Sequence, residues 1–293
     1  MRIVLLLVTN LRIYRHVRIP IVMDKQELPL DRFSIVLASV SLGLVLEYLI
    51  PASTVPGLDS RLIFSPNWDT YSILPVFTAI LAGVGSHWIY RANPEHANWQ
   101  KGEPRLIYHL LLPFFTVLTL AVVLRQMART PLWWLILGLG IFLFGLILAA
   151  EYLSLGNDYQ KQPTAVIALI AIAHAFFLVL TIALRTGSAR LYLLLPLVAG
   201  AAAFVSLRTI SLRLQRTAPP VWTLVLSLLV TELAAVLYYI FLSPVQYGLI
   251  LTGVLFAGNA FVAAEVQGEK KKTALIEMGA VLAALVLIVI FSR

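Results

Sequence analysis

Three side chains raise the question of chemistry first. His174, Glu232 and Asn259 stand near the middles of the long apolar runs 164–185, 220–242 and 246–266. An ionisable or amide group at that depth in hydrocarbon is costly unless it meets a partner or water, so each is a functional candidate. A glutamate beside a histidine could form a proton relay or a cation site, because imidazole exchanges its proton near neutrality. The blander role for all three is an interhelical hydrogen bond that holds a bundle together. Four further charges stand close to run ends: Glu47, Glu151, Arg125 and Arg208. There water or headgroups should reach the carboxylates at little cost, and the arginines should snorkel to the interface and complement the negative end of a helix.

Catalytic signatures are missing from the sequence. It contains no H-E-x-x-H, no G-x-S-x-G, no P-loop and no paired aspartate motif. The string GVGSH, Gly83 to His87, sets a serine beside a histidine, but consecutive helical residues point about 100° apart and no acid stands by to orient them. Haem ligation would need a histidine pair facing across helices, and His174 has only His87 and His109 as distant companions, both expected near the surface. With no cysteine there is no disulfide, thiolate nucleophile, iron–sulfur cluster or cysteine-ligated zinc. No catalytic residue, metal site or cofactor is expected.

The elements that must position these groups are transmembrane helices. The 293 residues are 60% hydrophobic and 12% charged, far from the soluble balance of roughly half apolar and a quarter charged. Runs long enough to span lie near 31–50, 71–91, 107–127, 131–153, 164–185, 190–211, 220–242, 246–266 and 274–292. Each is continuously apolar, which predicts helices rather than the short alternating strands of a barrel. The fold expected is therefore all-α, a polytopic transmembrane bundle of about nine helices. Nine spans of about 20 residues leave no room for a separate soluble domain. Residues 1–30 precede the bundle; of these, 1–22 read as a basic amphipathic segment on the membrane surface, the plainer choice being a disordered tail.

A net charge of +8 would suit nucleic acid, but the basic residues lie between apolar runs and at the N-terminus, so the lipid bilayer is the expected partner and nucleic acid is not. With the N-terminus cytoplasmic, sixteen of the 22 lysines and arginines fall inside and six outside, which predicts a multi-pass protein of the cell (inner) membrane with its C-terminus outside. Trp68, Trp88, Trp99, Trp133, Trp134 and Trp222 fall at or near span ends, as interfacial aromatic belts do.

Two echoes hint at repetition. HLLLP, His109 to Pro113, with Leu124 and Arg125 after it, matches YLLLP, Tyr192 to Pro196, followed by Leu207 and Arg208; GLVLEYL from Gly43 matches GLILAAEYL from Gly145. Together they equate runs one to three with runs four to six, and a unit of three spans would repeat in inverted sense, as in many secondary transporters. The corresponding segments are 31–127, 131–211 and 220–292. Leucine-rich spans also produce such matches by composition alone. Gly83, Gly85, Gly248, Gly253 and Gly258 thin two of the runs, and Gly253 with Ala257 has the small-xxx-small spacing of a packing seam. Two functions lead in this frame, ahead of an intramembrane enzyme or lipid-processing protein. One is a small transporter or channel-like protein with its polar site between the fifth, seventh and eighth helices; the other is a non-catalytic structural or accessory subunit that partners other membrane subunits. The sequence names no substrate.

Overall fold

A computed structural model describes residues 28–49, 73–93, 105–127, 130–153, 163–187, 190–214 and 218–268, with isolated positions between 276 and 283. Among the described residues there are eight helices and no strands: α1 (Leu30–Leu49), α2 (Ile73–Tyr90), α3 (Arg105–Gln126), α4 (Leu132–Leu153), α5 (Pro163–Thr186), α6 (Leu191–Leu214), α7 (Pro220–Tyr238) and α8 (Pro244–Gln267). They coincide with the first eight apolar runs. The ninth run, 274–292, and the N-terminal segment 1–22 lie outside the described residues.

Seven of these helices are long and apolar enough to cross a bilayer. The eighth, α2, carries a shorter apolar stretch, Leu74–Tyr90. Its C-terminal end reaches the starts of α1 and α3. Arg32 in the first turn of α1 donates to the Trp88 carbonyl near the end of α2 at 2.8 Å, and the Tyr90 ring meets that of His109, near the start of α3, edge-on at 6.4 Å. The chain is a polytopic integral membrane protein.

Helix ends follow local chemistry. Pro220 opens α7, where a missing N–H costs nothing. α8 begins with a capping box in which the Ser243 hydroxyl accepts from Gln246 N at 3.2 Å and the Gln246 side chain accepts from Ser243 N at 3.1 Å. It ends at Gly268, whose φ of 74° is the left-handed conformation that glycine adopts without a Cβ clash.

The helices pack in two groups of four. In the first, α1, α2, α3 and α4 each pack on the next, and α4 returns to α1; in the second, α5, α6, α7 and α8 do the same, with α8 returning to α5. Two cores follow these groups, the second also taking in Leu112 and Phe115 of α3 and Ile147 of α4. Val40, Ala82, Val117 and Phe144 belong to the first, and Phe177, Val198, Val230 and Leu255 to the second. α3 is the joint, since it also packs on α5 and α6. Neighbours thus group by four, whereas the sequence echoes grouped them by three: α2 lies against α1 and α3, but its counterpart α5 packs mainly on α3, α6 and α8 and only slightly on α4.

Small residues set the closest approaches. Gly85 on α2 faces Val36 on α1 so tightly that an added Cβ would stand 2.8 Å from a valine methyl, and Gly43 on α1 faces Thr78 on α2 at the same distance. Gly248 and Gly258 of α8 make comparable notches against Ile182 of α5 and Leu226 of α7. Gly253 and Ala257 are both buried within α8. Gly83 is looser, with its nearest neighbour atom, on Phe114, 3.8 Å from the added Cβ.

Candidate functional site

The densest polar constellation is built from residues that stand near helix ends. On α4 the buried positions Phe144, Ile147, Leu148, Glu151 and Tyr152 repeat at helical spacing, so Glu151 continues the inward stripe and is fully buried. Arg208 lies on the stripe Leu194, Val198, Ala201, Val205, Arg208 of α6 and is 3% exposed; His109 precedes Leu112 and Phe115 on α3 and is 8% exposed. The three meet. Arg208 Nε donates to Glu151 Oε1 at 2.9 Å, its Nη2 donates to Oε2, and His109 Nδ1 stands 2.7 Å from Oε2. A carboxylate gripped by both arms of a guanidinium is ionised, so the hydrogen on the histidine bond must come from Nδ1. Nδ1 then has no lone pair for Arg208 Nη2, which lies 3.3 Å away. The cluster is neutral overall with His109 uncharged, the state that low-dielectric surroundings favour.

This corrects three expectations. Water and headgroups do not reach the Glu151 carboxylate, Arg208 turns to that carboxylate rather than snorkelling, and His109 is buried. Depth along a helix says little about lateral burial, and here α3, α4 and α6 close around the same end of the bundle. Trp133 is a similar case. It is 2% exposed and packs on Tyr48 at 4.5 Å, whereas its neighbour Trp134 is exposed.

The three mid-span candidates divide. His174 and Asn259 are brought together across α5 and α8: His174 Nδ1 donates to the Ile170 carbonyl at 2.8 Å, which leaves Nε2 as the acceptor for Asn259 Nδ2 at 3.4 Å. The histidine ring also meets Phe256 edge-on at 5.1 Å. The Asn259 Oδ1 atom is buried without a partner among the described residues. Glu232 does not join them. In a ring of four, α7 lies across from α5, and α7 packs on α6 and α8. Glu232 is on its outward, exposed face.

The remaining pair occupies the opposite end. Glu47, at the end of α1, and Arg125, at the end of α3, are both half-buried. They are within electrostatic reach of each other, and Glu47 Oε1 has no hydrogen-bond partner among the described residues.

Between these two ends runs a cleft of about 310 Å³, bounded by α3, α5 and α6 with Pro75 and Val76 of α2. Its lip carries Arg125, Gln126 and Gly187, its walls include Leu118, Val122, Leu184, Leu197 and Gly200, and its floor is formed by Phe115 and Phe204. Those same two phenylalanines border a void of about 10 Å³ that Arg208 also lines. No three His, Asp or Glu side chains gather as a metal site among the described residues.

The fold and site define a polytopic integral membrane protein with an interhelical charge cluster beneath an apolar cleft. The chain belongs to a family of proteins of unknown function, DUF5656, whose model matches residues 53–292. Neither a curated protein nor a solved structure matches it.

Proposed function

We propose that the protein is a membrane transporter whose solute occupies the cleft between α3, α5 and α6, and whose route is closed at the far end by Arg208, Glu151 and His109. The observation that carries this reading is continuity: two phenylalanine side chains, Phe115 and Phe204, separate the cleft from the void at Arg208. Aromatic rings turn about two side-chain torsions, and a charge cluster can part and re-form, so both are elements able to take two arrangements. The same α3 and α6 supply cleft, floor and closure, so a shift of one ring of four against the other would move all three together.

The polar site of this reading differs from the one the sequence favours. His174 and Asn259 act as a tie between α5 and α8. The sixteen-to-six charge split supports a cytoplasmic N-terminus, which places the charge cluster at the cytoplasmic end and Arg125 at the outer end.

The test is uptake of a panel of radiolabelled small solutes into proteoliposomes under imposed proton and sodium gradients. Wild-type flux above empty liposomes that Gly200→Leu removes supports the route, since Gly200 lines the cleft and a Cβ there meets nothing within 4 Å. Absence of flux for every solute and gradient refutes it.

One observation favours the accessory-subunit reading. Glu232 presents a carboxylate in mid-span on an exposed face, where hydrocarbon alone would be a costly neighbour. A cation on another chain would satisfy it. On that reading Glu232→Gln releases a co-purifying subunit in mild detergent, while on the transport reading it leaves flux through the cleft unchanged.

A further inference from the structure

The dimensions and chemistry of the cleft name a class of ligand. From Arg125 at the lip to Phe115 at the floor is ten residues of α3, or about 15 Å of helix. That length suits an extended alkyl tail lying along α3. The walls are leucine, valine, phenylalanine, alanine, proline and glycine, which offer a ligand body no side-chain hydrogen bond. Leu118, Val122, Leu197, Gly200 and Phe204 are half-buried rather than sealed, so the cleft opens sideways along its length as well as at its lip.

The polarity is confined to one end. Arg125 is the only charged residue among the described lining, and it makes no hydrogen bond or ion pair among the described residues. Gln126 beside it is committed through its amide nitrogen to the Ala183 carbonyl, which fixes the lip of α3 against α5. Glu47 is close enough to attract Arg125 but does not take up its donors. A guanidinium whose donors meet no partner among the described residues, at the end of an apolar slot, matches an anionic headgroup, carboxylate or phosphate, which it can grip with two parallel hydrogen bonds.

We infer that the cleft between α3, α5 and α6 binds an anionic amphiphile, with its headgroup on Arg125 and an alkyl tail that spans the roughly 15 Å to Phe115 and Phe204. The inference rests on the transport reading only in treating the cleft as the solute's place. The ligand enters sideways from the bilayer, headgroup level with the Arg125 end, and its tail displaces nothing polar.

The experiment is photo-crosslinking of the full chain in phosphatidylcholine nanodiscs with dodecanoate carrying a mid-chain diazirine, followed by peptide mapping. The expected result is labelling of cleft residues such as Leu118, Val122 and Leu197, competed by unlabelled dodecanoate and dodecyl phosphate at least about tenfold more strongly than by dodecyltrimethylammonium, the scale of one charge-assisted hydrogen bond. The ranking of the two anions tells a carboxylate from a phosphate headgroup. Arg125→Gln should erase the preference for anions while Arg125→Lys keeps part of it. Gly200→Leu should remove the labelling with thermal stability unchanged. Equal competition by the cationic amphiphile, or labelling of the outer face of α7 that Gly200→Leu does not alter, would overturn the inference, because the cleft would then be a slot filled by any lipid chain. Binding without flux in proteoliposomes leaves this site standing and removes the transport reading; flux without binding does the reverse.

Discussion

Replacing Glu151 by glutamine keeps the shape of the side chain and removes its charge. In the native protein this carboxylate accepts from Arg208 twice and from His109 once, at zero exposure. The glutamine amide nitrogen cannot accept, and Arg208 is left 3% exposed with its countercharge gone. Removing one member of a buried ion pair typically costs about 3–5 kcal/mol, because the survivor remains desolvated. At about 2–4 °C per kcal/mol for a chain of this size, Glu151→Gln should lower the unfolding temperature by about 10 °C. The assay is thermal unfolding in mild detergent, paired with equilibrium unfolding in mixed micelles of increasing SDS fraction. The double variant Glu151→Leu with Arg208→Met removes both charges and should be more stable than Glu151→Leu alone, by at least about 2 kcal/mol of coupling. A loss under about 1 kcal/mol for Glu151→Gln, or strict additivity in the double variant, would refute the view that these side chains form one buried unit.

Two further outcomes follow from packing and charge. Gly85→Leu forces a side chain into Val36 at the α1–α2 seam and should cost about 1–3 kcal/mol, whereas Gly138→Ala, with nothing within 4 Å of the new Cβ, should be neutral or stabilising; the same unfolding assay ranks them. A cysteine introduced as Asn98→Cys in this cysteine-free chain should react with a membrane-impermeant maleimide only from the cytoplasmic side, and labelling from outside alone would invert the assigned topology.

The span positions were legible because apolar length is itself the signal for a membrane helix. α1 was expected at 31–50 and runs Leu30–Leu49; α4 was expected at 131–153 and runs Leu132–Leu153. Which helix lies beside which was not legible. A run such as LWWLILGLGIFLFGLIL is apolar on every face, so it carries no periodicity that separates a lipid-facing side from a protein-facing one. The candidate site suffered from the same gap. Ranking polar groups by depth selected His174, Glu232 and Asn259, of which the first two lie on helices that are not direct ring neighbours. It passed over the meeting of Glu151, Arg208 and His109. A usable signal was present: alternate crossing directions bring the end of α4, the end of α6 and the start of α3 to one level, and they carry an anion, a cation and an imidazole there. Complementary charge at equal height, rather than depth alone, would have joined them.

The charge cluster also has a consequence for the order in which the chain is made. Glu151 and Arg208 are separated by 57 residues, so a ribosome adding about 5–20 residues per second delivers the arginine some 3–11 s after the carboxylate. Over that interval the acid exists in the growing chain before its guanidinium partner has been made. His109, made 42 residues before Glu151, is already in place. Of the carboxylate's two partners, the imidazole alone precedes it along the chain, and the guanidinium that grips it twice is the last of the three to be made.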